Sequence, residues 1–477
     1  MIRPRLTLLA LAMPLALAGC ALGPDYQRPD ARVALPESYA NAAAASDPAT
    51  APAVDSRWWT LFGDAQLTAL VDQALASSPD ALTAAARIEE ADAVLRQVDA
   101  ALLPQIDANA GVSRSRTILP NAVEPTGLLR NTNKIGLSTS FELDVWGRLR
   151  RASEAARAQA LGTRYASETV SLSLAASVTQ AYLNLRAIDA QLLVNRDSVS
   201  SQAKSTQLAR VRFDGGYASQ LDVQQAEGAL ATYTAAQVQL EKSRALAESL
   251  LGLLVGQPGL KVGAGDLRSL PVPPTPPAGL PSSLLEARPD VRKAETDLIA
   301  ANAKIGVAKA ALFPSITLTG SFGRESRDLS DLFSPAAAVW SIGAGLTQPI
   351  FEGGRLRAQV EQVSAQQKQS LEAYRKSVQT AFREVNDALI TVRQNGDSEV
   401  ALGQAMQAAK RSLQLAQARY DSGYSPYLEV LTAQRTSNDA TLAWVQNRQA
   451  RLSSSVDLFK ALGGGWKDGN APQAAAR

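Results

Sequence analysis

The sequence predicts an α+β chain, mostly long α-helices, built as two copies of one unit that each add a pair of amphipathic strands. Three observations carry this. First, Arg355 to Asp421 runs 67 residues without a proline, with only Gly396 and Gly403 as weak points. Leu356, Val360, Val363, Leu371, Tyr374, Val378, Ala381, Val385, Ala388 and Val392 recur at helical spacing and keep one stripe against a partner. At ~1.5 Å per residue this is a rod of roughly 100 Å, longer than a compact core uses. Second, the rod has a twin from Arg148 to Phe213, with Val170, Leu174, Val178, Ala181, Leu185, Ile188 and Leu192 on one stripe. Gly147-Arg148-Leu149-Arg150 matches Gly354-Arg355-Leu356-Arg357, and Arg212 to Tyr217 matches Arg419 to Tyr424, both at an offset of 207. Ser78-Pro79-Asp80 and Ala101-Leu102-Leu103-Pro104 repeat 210 residues later as Arg288-Pro289-Asp290 and Ala311-Leu312-Phe313-Pro314, so the chain is a tandem duplication. Third, each copy carries two runs of period two before its rod.

Composition narrows the chemistry. The chain has 477 residues, a net charge of +3, no histidine and one cysteine. Imidazole bases, imidazole metal ligands and disulfides are therefore excluded, and nothing in the charge points to nucleic acid. No motif for an enzyme site or cofactor is present, so the expected cofactor set is empty apart from a covalent lipid.

In chain order, residues 1–19 read as a signal peptide, with Arg3 and Arg5 before an apolar run from Leu6 to Ala18. That run is too short to span a bilayer. Leu17-Ala18-Gly19-Cys20 resembles a bacterial lipobox, which would leave Cys20 as the acylated first residue. Ala21 rather than Asp after it implies delivery to the outer membrane. Residues 20–63 form a lipidated N-terminal segment whose Trp58-Trp59 and Phe62 should pin it to a helical layer.

Repeat 1 covers 64–257. It opens with helices over Asp64–Ala76 and Asp80–Leu102, then strands at about 105–118 and 132–146. Ile135, Leu137, Thr139, Phe141, Leu143 and Val145 lie on one face and Lys134, Ser138, Ser140, Glu142 and Asp144 on the other. The long helix 148–213 and a return helix 219–255 follow. A Pro-rich linker, 258–283, leads to repeat 2 at 284–462, with strands at about 315–325 and 339–351. Its long helix is 355–421 and its return helix 426–462. Residues 463–477 are expected to be a flexible tail. The period and length of the strands suit tilted membrane strands, and any crossing beyond the anchor would have to be made by them. Four strands are too few to close such a barrel, so copies must pool them.

Taken together, the chain resembles the outer-membrane factors of Gram-negative tripartite efflux pumps, in the NodT-type lipoprotein branch that is OprM-like and more distantly TolC-like. The residues that carry this are Cys20, Gly23-Pro24-Asp25-Tyr26, Trp58-Trp59, Glu142 to Arg148, Gly279-Leu280-Pro281-Ser282, Ala287 to Val291, Phe313-Pro314, Phe351 to Arg355 and Ala461 to Trp466. The resemblance implies a homotrimeric outer-membrane β-barrel, four strands per subunit and 12 in total, continued by a periplasmic α-helical barrel. It further implies a passive exit duct for drugs or other small toxic compounds, not an enzyme. Its partners would be a periplasmic adaptor protein, an inner-membrane pump of the RND type and outer-membrane lipid. The same duct could instead serve type I protein secretion, and a periplasmic adaptor lipoprotein is the remaining alternative.

The rods end in paired turns, Asp214-Gly215-Gly216-Tyr217 and Asp421-Ser422-Gly423-Tyr424. Gly215, Gly216, Tyr217, Gly423 and Tyr424 are the expected adaptor-contact tips. Leu428, Asp421, Tyr420, Arg419 and Arg435 are the expected gate, with Asp421 pairing with an arginine of a neighbouring subunit. The family pattern Leu-Asp-Ala-Gln-Arg reads Leu431-Thr432-Ala433-Gln434-Arg435 here, so a carboxylate ring at Thr432 is absent. An acid at the C-terminal end of a helix opposes the dipole, and turn chemistry is the other account of Asp214 and Asp421.

Overall fold

A computed structural model describes residues 21–29, 55–118, 127–276 and 284–467. Cys20, the signal peptide and the Gly279 to Ser282 motif lie outside the described residues. The main elements are α1 (Ala65–Ser77), α2 (Pro79–Ala100), β1 (Gln105–Ile118), β2 (Gly127–Leu143), α3 (Arg148–Asp214) and α4 (Gln220–Val255). The second copy supplies α5 (Pro289–Ala310), β3 (Ser315–Ser326), β4 (Ala338–Thr347), α6 (Arg355–Asp421) and α7 (Tyr427–Ala461). Among the described residues no helix is long and apolar enough to cross a membrane. The chain divides into two compact units. The first holds the described parts of Met1–Asp30, Ile88–Arg164 and Lys293–Tyr374, and the second those of Ala31–Arg87, Tyr165–Arg292 and Arg375–Arg477.

The first unit is built on one antiparallel sheet in the order β1-β2-β3-β4. Strand β2 begins five residues before the expected 132 and stops at Leu143. The extension pairs Asn131 to Gly127 with Arg114 to Ile118. Asn131 and Asn133 interrupt the apolar face between Leu129 and Ile135, which is why pattern alone missed the extension. The early stop has a different cause. Asp144 accepts from the backbone N–H groups of Leu149 (3.0 Å) and Arg150 (2.9 Å), so it caps α3 and leaves the ladder. Strand β4 ends at Thr347, because Pro349 cannot donate to the ladder and Gln348 turns its amide onto the Leu312 carbonyl (3.1 Å).

Residues 21–29 are strapped to this unit. Leu22 N–H donates to the Trp146 carbonyl (3.0 Å), Asn302 to the Pro24 carbonyl (2.8 Å) and Arg151 to Asp25 (2.6 Å). Arg28 forks onto Glu295 with two bonds of 2.7 Å. Gly23 has φ +107, and a Cβ there would stand 2.6 Å from Gly306 Cα, so only glycine fits. Beside the strap α2 and α3 run antiparallel, Asp92 meeting Arg164 (3.1 Å) and Asp99 meeting Ser153.

The second unit holds the main apolar core. Trp58, Phe62, Leu67 and Val71 pack with Tyr182, Leu183, Leu185, Leu251, Leu267, Leu452 and Phe459. Trp58 stacks on Phe459 with ring centroids 5.5 Å apart. The first part of the linker is docked here rather than free. Val262, Leu267 and Leu270 are buried, Arg186 donates to the Gly263 carbonyl (2.6 Å), and Glu248 accepts from Val262 N–H (2.8 Å) and Lys261 (2.8 Å). The start of the expected flexible tail is also corrected. Gly463, Gly464 and Gly465 all have positive φ, and a Cβ on Gly463 would lie 2.0 Å from the Ala287 carbonyl oxygen. Trp466 then meets the Tyr165 ring edge-on at 5.5 Å. A triglycine looks mobile by composition, yet this one is demanded by close approach. Residues 468–477 lie outside the described residues.

Glu248 gives this docking a pH signature. Burial pushes its pKa up, but Lys261, the Val262 N–H and Arg244 outweigh that and hold it below the usual 4.5. Its contribution is therefore complete above the ordinary carboxylate range and is lost as pH falls through the lowered value. Glu248→Gln should lower the thermal midpoint at neutral pH, at a cost of about 3 kcal/mol, and should flatten the acid-side fall of stability. Unfolding followed by circular dichroism against pH checks both.

Candidate functional site

Two regions are candidates for function: the helix tips of the second unit and the sheet of the first. Both tips close in the same way. Tyr217 N–H donates to the Arg212 carbonyl (2.7 Å) and Gly216 N–H to that of Phe213 (2.9 Å). In the second copy Tyr424 donates to Arg419 (2.9 Å) and Gly423 to Tyr420 (3.0 Å). This is a Schellman closure, and Gly216 and Gly423 occupy its left-handed position at φ +78. Gly215 has an ordinary φ, and Ser422 replaces it in the other copy. Gly216→Ala or Gly423→Ala should each cost about 1 kcal/mol. Gly215→Ala displaces only the Tyr217 ring, 3.1 Å from its would-be Cβ, so its thermal midpoint should stay near that of the unsubstituted protein. Each return helix starts with its own device, a Ser219–Asp222 capping box for α4 and Pro426 with Glu429 for α7.

The two hairpins are knotted together. Ala209, Val223 and Ala226 of the first pack against Ala416, Tyr420, Tyr427 and Val430 of the second. Gln202 donates to both the Tyr427 hydroxyl (2.7 Å) and the Ala226 carbonyl (3.1 Å). The Arg212 guanidinium lies over the Tyr420 ring, 4.3 Å from its centroid, and reaches the Tyr420 carbonyl at 3.4 Å. Burial raises the Tyr427 phenol above its ordinary range against the pull of the Gln202 bond, so it stays neutral.

Of the expected gate residues, Tyr420 is thus part of a core. Arg419 approaches Glu429 at 4.0 Å, and Asp421 accepts from Gln417 of its own helix (3.0 Å). Arg435 and Asp439 are both exposed, 3.9 Å apart, while Leu428 faces solvent and takes a bond from Thr432 to its carbonyl (2.8 Å). Tyr217 and Tyr424 project at 88% and 82% exposure. Gln202, Arg212 and Tyr427 were missed by sequence reasoning. Tyr427 lies beside the quoted turn, but its hydrogen-bond partner Gln202 is 225 residues away in sequence.

In the sheet, the register sorts the side chains onto two unlike faces. Leu143, Ile316 and Leu346 align, as do Phe141, Leu318 and Ala344, then Leu137, Phe322 and Trp340. Ile106, Ala108 and Ala110 of β1 continue this face. It is bare: Phe322, Trp340 and Ile342 are 68%, 73% and 84% exposed. The opposite face carries small polar groups, with Asn109 donating to Ser138 (2.6 Å) and Ser321 bonded to Ser341 (2.8 Å). A broad apolar face left exposed marks a membrane or partner surface.

The sequence pattern of the family described as outer membrane efflux protein matches residues 70–257 and 280–464. The chain belongs to the outer membrane efflux protein family. The two matched blocks are the two copies of the duplication. Among relatives of this outer membrane efflux protein, the toluene efflux pump outer membrane protein TtgF of Pseudomonas putida is 38% identical over 96% of each chain. The cation efflux system protein CusC of Escherichia coli is 34% identical over 96% of this chain and 99% of its own. The MtrE outer membrane channel of Neisseria gonorrhoeae, solved in its open state, superposes with a TM-score of 0.84 at 32% identity, over 94% of this chain and 99% of that one. The family is one of outer-membrane channels, not of enzymes, and no group of His, Cys, Asp and Glu among the described residues could hold a metal ion.

Proposed function

We propose that three copies of the chain pool their sheets into one 12-stranded barrel through the outer membrane, and that the assembly is the passive exit duct of a tripartite efflux system. The observation that carries this is the four-stranded sheet with an exposed apolar face and with both edge strands, β1 and β4, lacking an outer partner among the described residues. In lipid each unpaired backbone group costs several kcal/mol, and the smallest bacterial barrels have eight strands. A single chain therefore cannot complete the structure its own sheet begins. The duct performs no covalent chemistry and needs no cofactor; energy comes from an inner-membrane pump of the RND type through a periplasmic adaptor. The tips at Gly215, Gly216, Tyr217, Gly423 and Tyr424 offer that adaptor two exposed tyrosines on rigid turns. TtgF and CusC are named for toluene and for cations at similar identity to this chain. The cargo class is accordingly set upstream of the duct, with small toxic compounds as the general class.

Purified protein added to a planar bilayer should give discrete channels. Silence from both the wild type and a variant opened at the tip would overturn the reading. The anchor is tested separately. Cys20 is proposed to carry the lipid, and the strap places Ala21 beside Gly147, at the exit of β2. Acyl labelling should mark the wild type and not Cys20→Ser; an unlabelled wild type would refute the anchor. Function should partly survive the substitution, because the barrel also holds the protein in the membrane.

A further inference from the structure

We infer that Arg114 and Arg116 form a docking site for the phosphate groups of outer-leaflet lipid. The inference rests on the membrane reading of the sheet. Along β1 the residues of the apolar face are Ile106, Ala108, Ala110 and Val112, opposite Thr139, Leu137, Ile135 and Asn133. Alternation then carries Arg114 and Arg116 onto that same face, opposite Asn131 and Leu129. Both are exposed, and neither has an ion-pair partner among the described residues. The nearby cations differ. Arg130, on the polar face, is 3.6 Å from Glu325, and Arg324 spends a donor on the Ser334 carbonyl (2.8 Å).

Position along the strand decides what such arginines meet. Helix α2 feeds the start of β1 through Leu103-Pro104, so Arg114 and Arg116 lie toward the end of the strand remote from the helices. On β2 this face is apolar from Leu143 to Ile135, Thr139 apart, and turns polar at Asn133 and Asn131; the distance to the first arginine is the stretch from Leu143 to Asn131, the partner of Arg114. At ~3.3 Å per residue and a tilt of about 40°, that stretch spans roughly 30 Å, just past an apolar band of about 25 Å. Within hydrocarbon each arginine would cost ~2–4 kcal/mol, falling to about 0–1 at the interface. Two of them in succession, beyond the Phe322–Trp340 pair, therefore mark the headgroup layer. A guanidinium offers the planar fork that binds phosphate oxygens in pairs.

The test is native mass spectrometry of the detergent-solubilised full chain, titrated with bis-phosphorylated lipid A, with dephosphorylated lipid A, and with inorganic phosphate as competitor. The wild type should retain the phosphorylated lipid. The Arg114→Gln, Arg116→Gln double variant should bind it at least about tenfold more weakly, whereas Arg130→Gln with Lys134→Gln on the opposite face should not. Wild-type affinity in the first variant, equal loss in the second, or equal binding of dephosphorylated lipid would overturn the site. Displacement by inorganic phosphate would overturn the lipid as its occupant. The same spectra count the chains: a trimer without phosphate selectivity overturns this inference alone, while a folded monomer overturns the membrane reading beneath it.

Discussion

Ile342→Arg should remove the protein from the outer-membrane fraction, while Ser341→Arg, one residue away, should leave it there. Ile342 stands opposite Gly320 on the bare apolar face, and Ser341 stands opposite Ser321 on the polar one. An arginine on the lipid face near the bilayer midplane costs ~2–4 kcal/mol, and three copies bring that to roughly 6–12 kcal/mol per assembly. The same charge inside a water-filled bore costs little. Fractionation and resistance of the oligomer to detergent read the difference. Equal behaviour of the two variants would mean that the sheet does not face lipid.

The second large effect is expected at the tips. Among the described residues Asp421 takes a side-chain hydrogen bond from Gln417 of its own helix, and Arg435 makes a weak ion pair with Asp439. Both are thus available to a neighbouring copy, with Leu428 exposed in the first turn of α7. Asp421→Ala together with Leu428→Ala should raise single-channel conductance several-fold and leave thermal stability nearly unchanged, since neither residue belongs to the tip core. Arg212→Ala with Tyr420→Ala should instead lower stability, because it empties the knot that joins the two hairpins. An unchanged, nearly closed channel in the first variant would leave turn chemistry as the explanation of Asp421.

The fold class was legible because its signals are long-range in the literal sense. Arg355 to Asp421 is one uninterrupted pattern, and the duplication reads it twice. The strand faces were equally legible, since period two survives wherever one side meets an apolar phase. Local readings failed where a contact from far along the chain decides conformation. Gly463 and Gly464 look mobile until Ala287 is seen to press against the first and Leu172 and Trp58 against the second. The linker looks like a spacer until Arg186 and Glu248 fasten it. At the tips, the turns were legible from Gly216 and Gly423, whose φ angles require glycine. The knot of Gln202, Arg212, Tyr420 and Tyr427 was not, because a single polar residue on a long helix carries no mark of its partner.

The central claim is that one chain holds a third of a barrel. The mass of the folded complex in mild detergent tests it most directly. The account predicts three chains per particle and no folded species below that. A stable, folded monomer with an intact four-stranded sheet would contradict it.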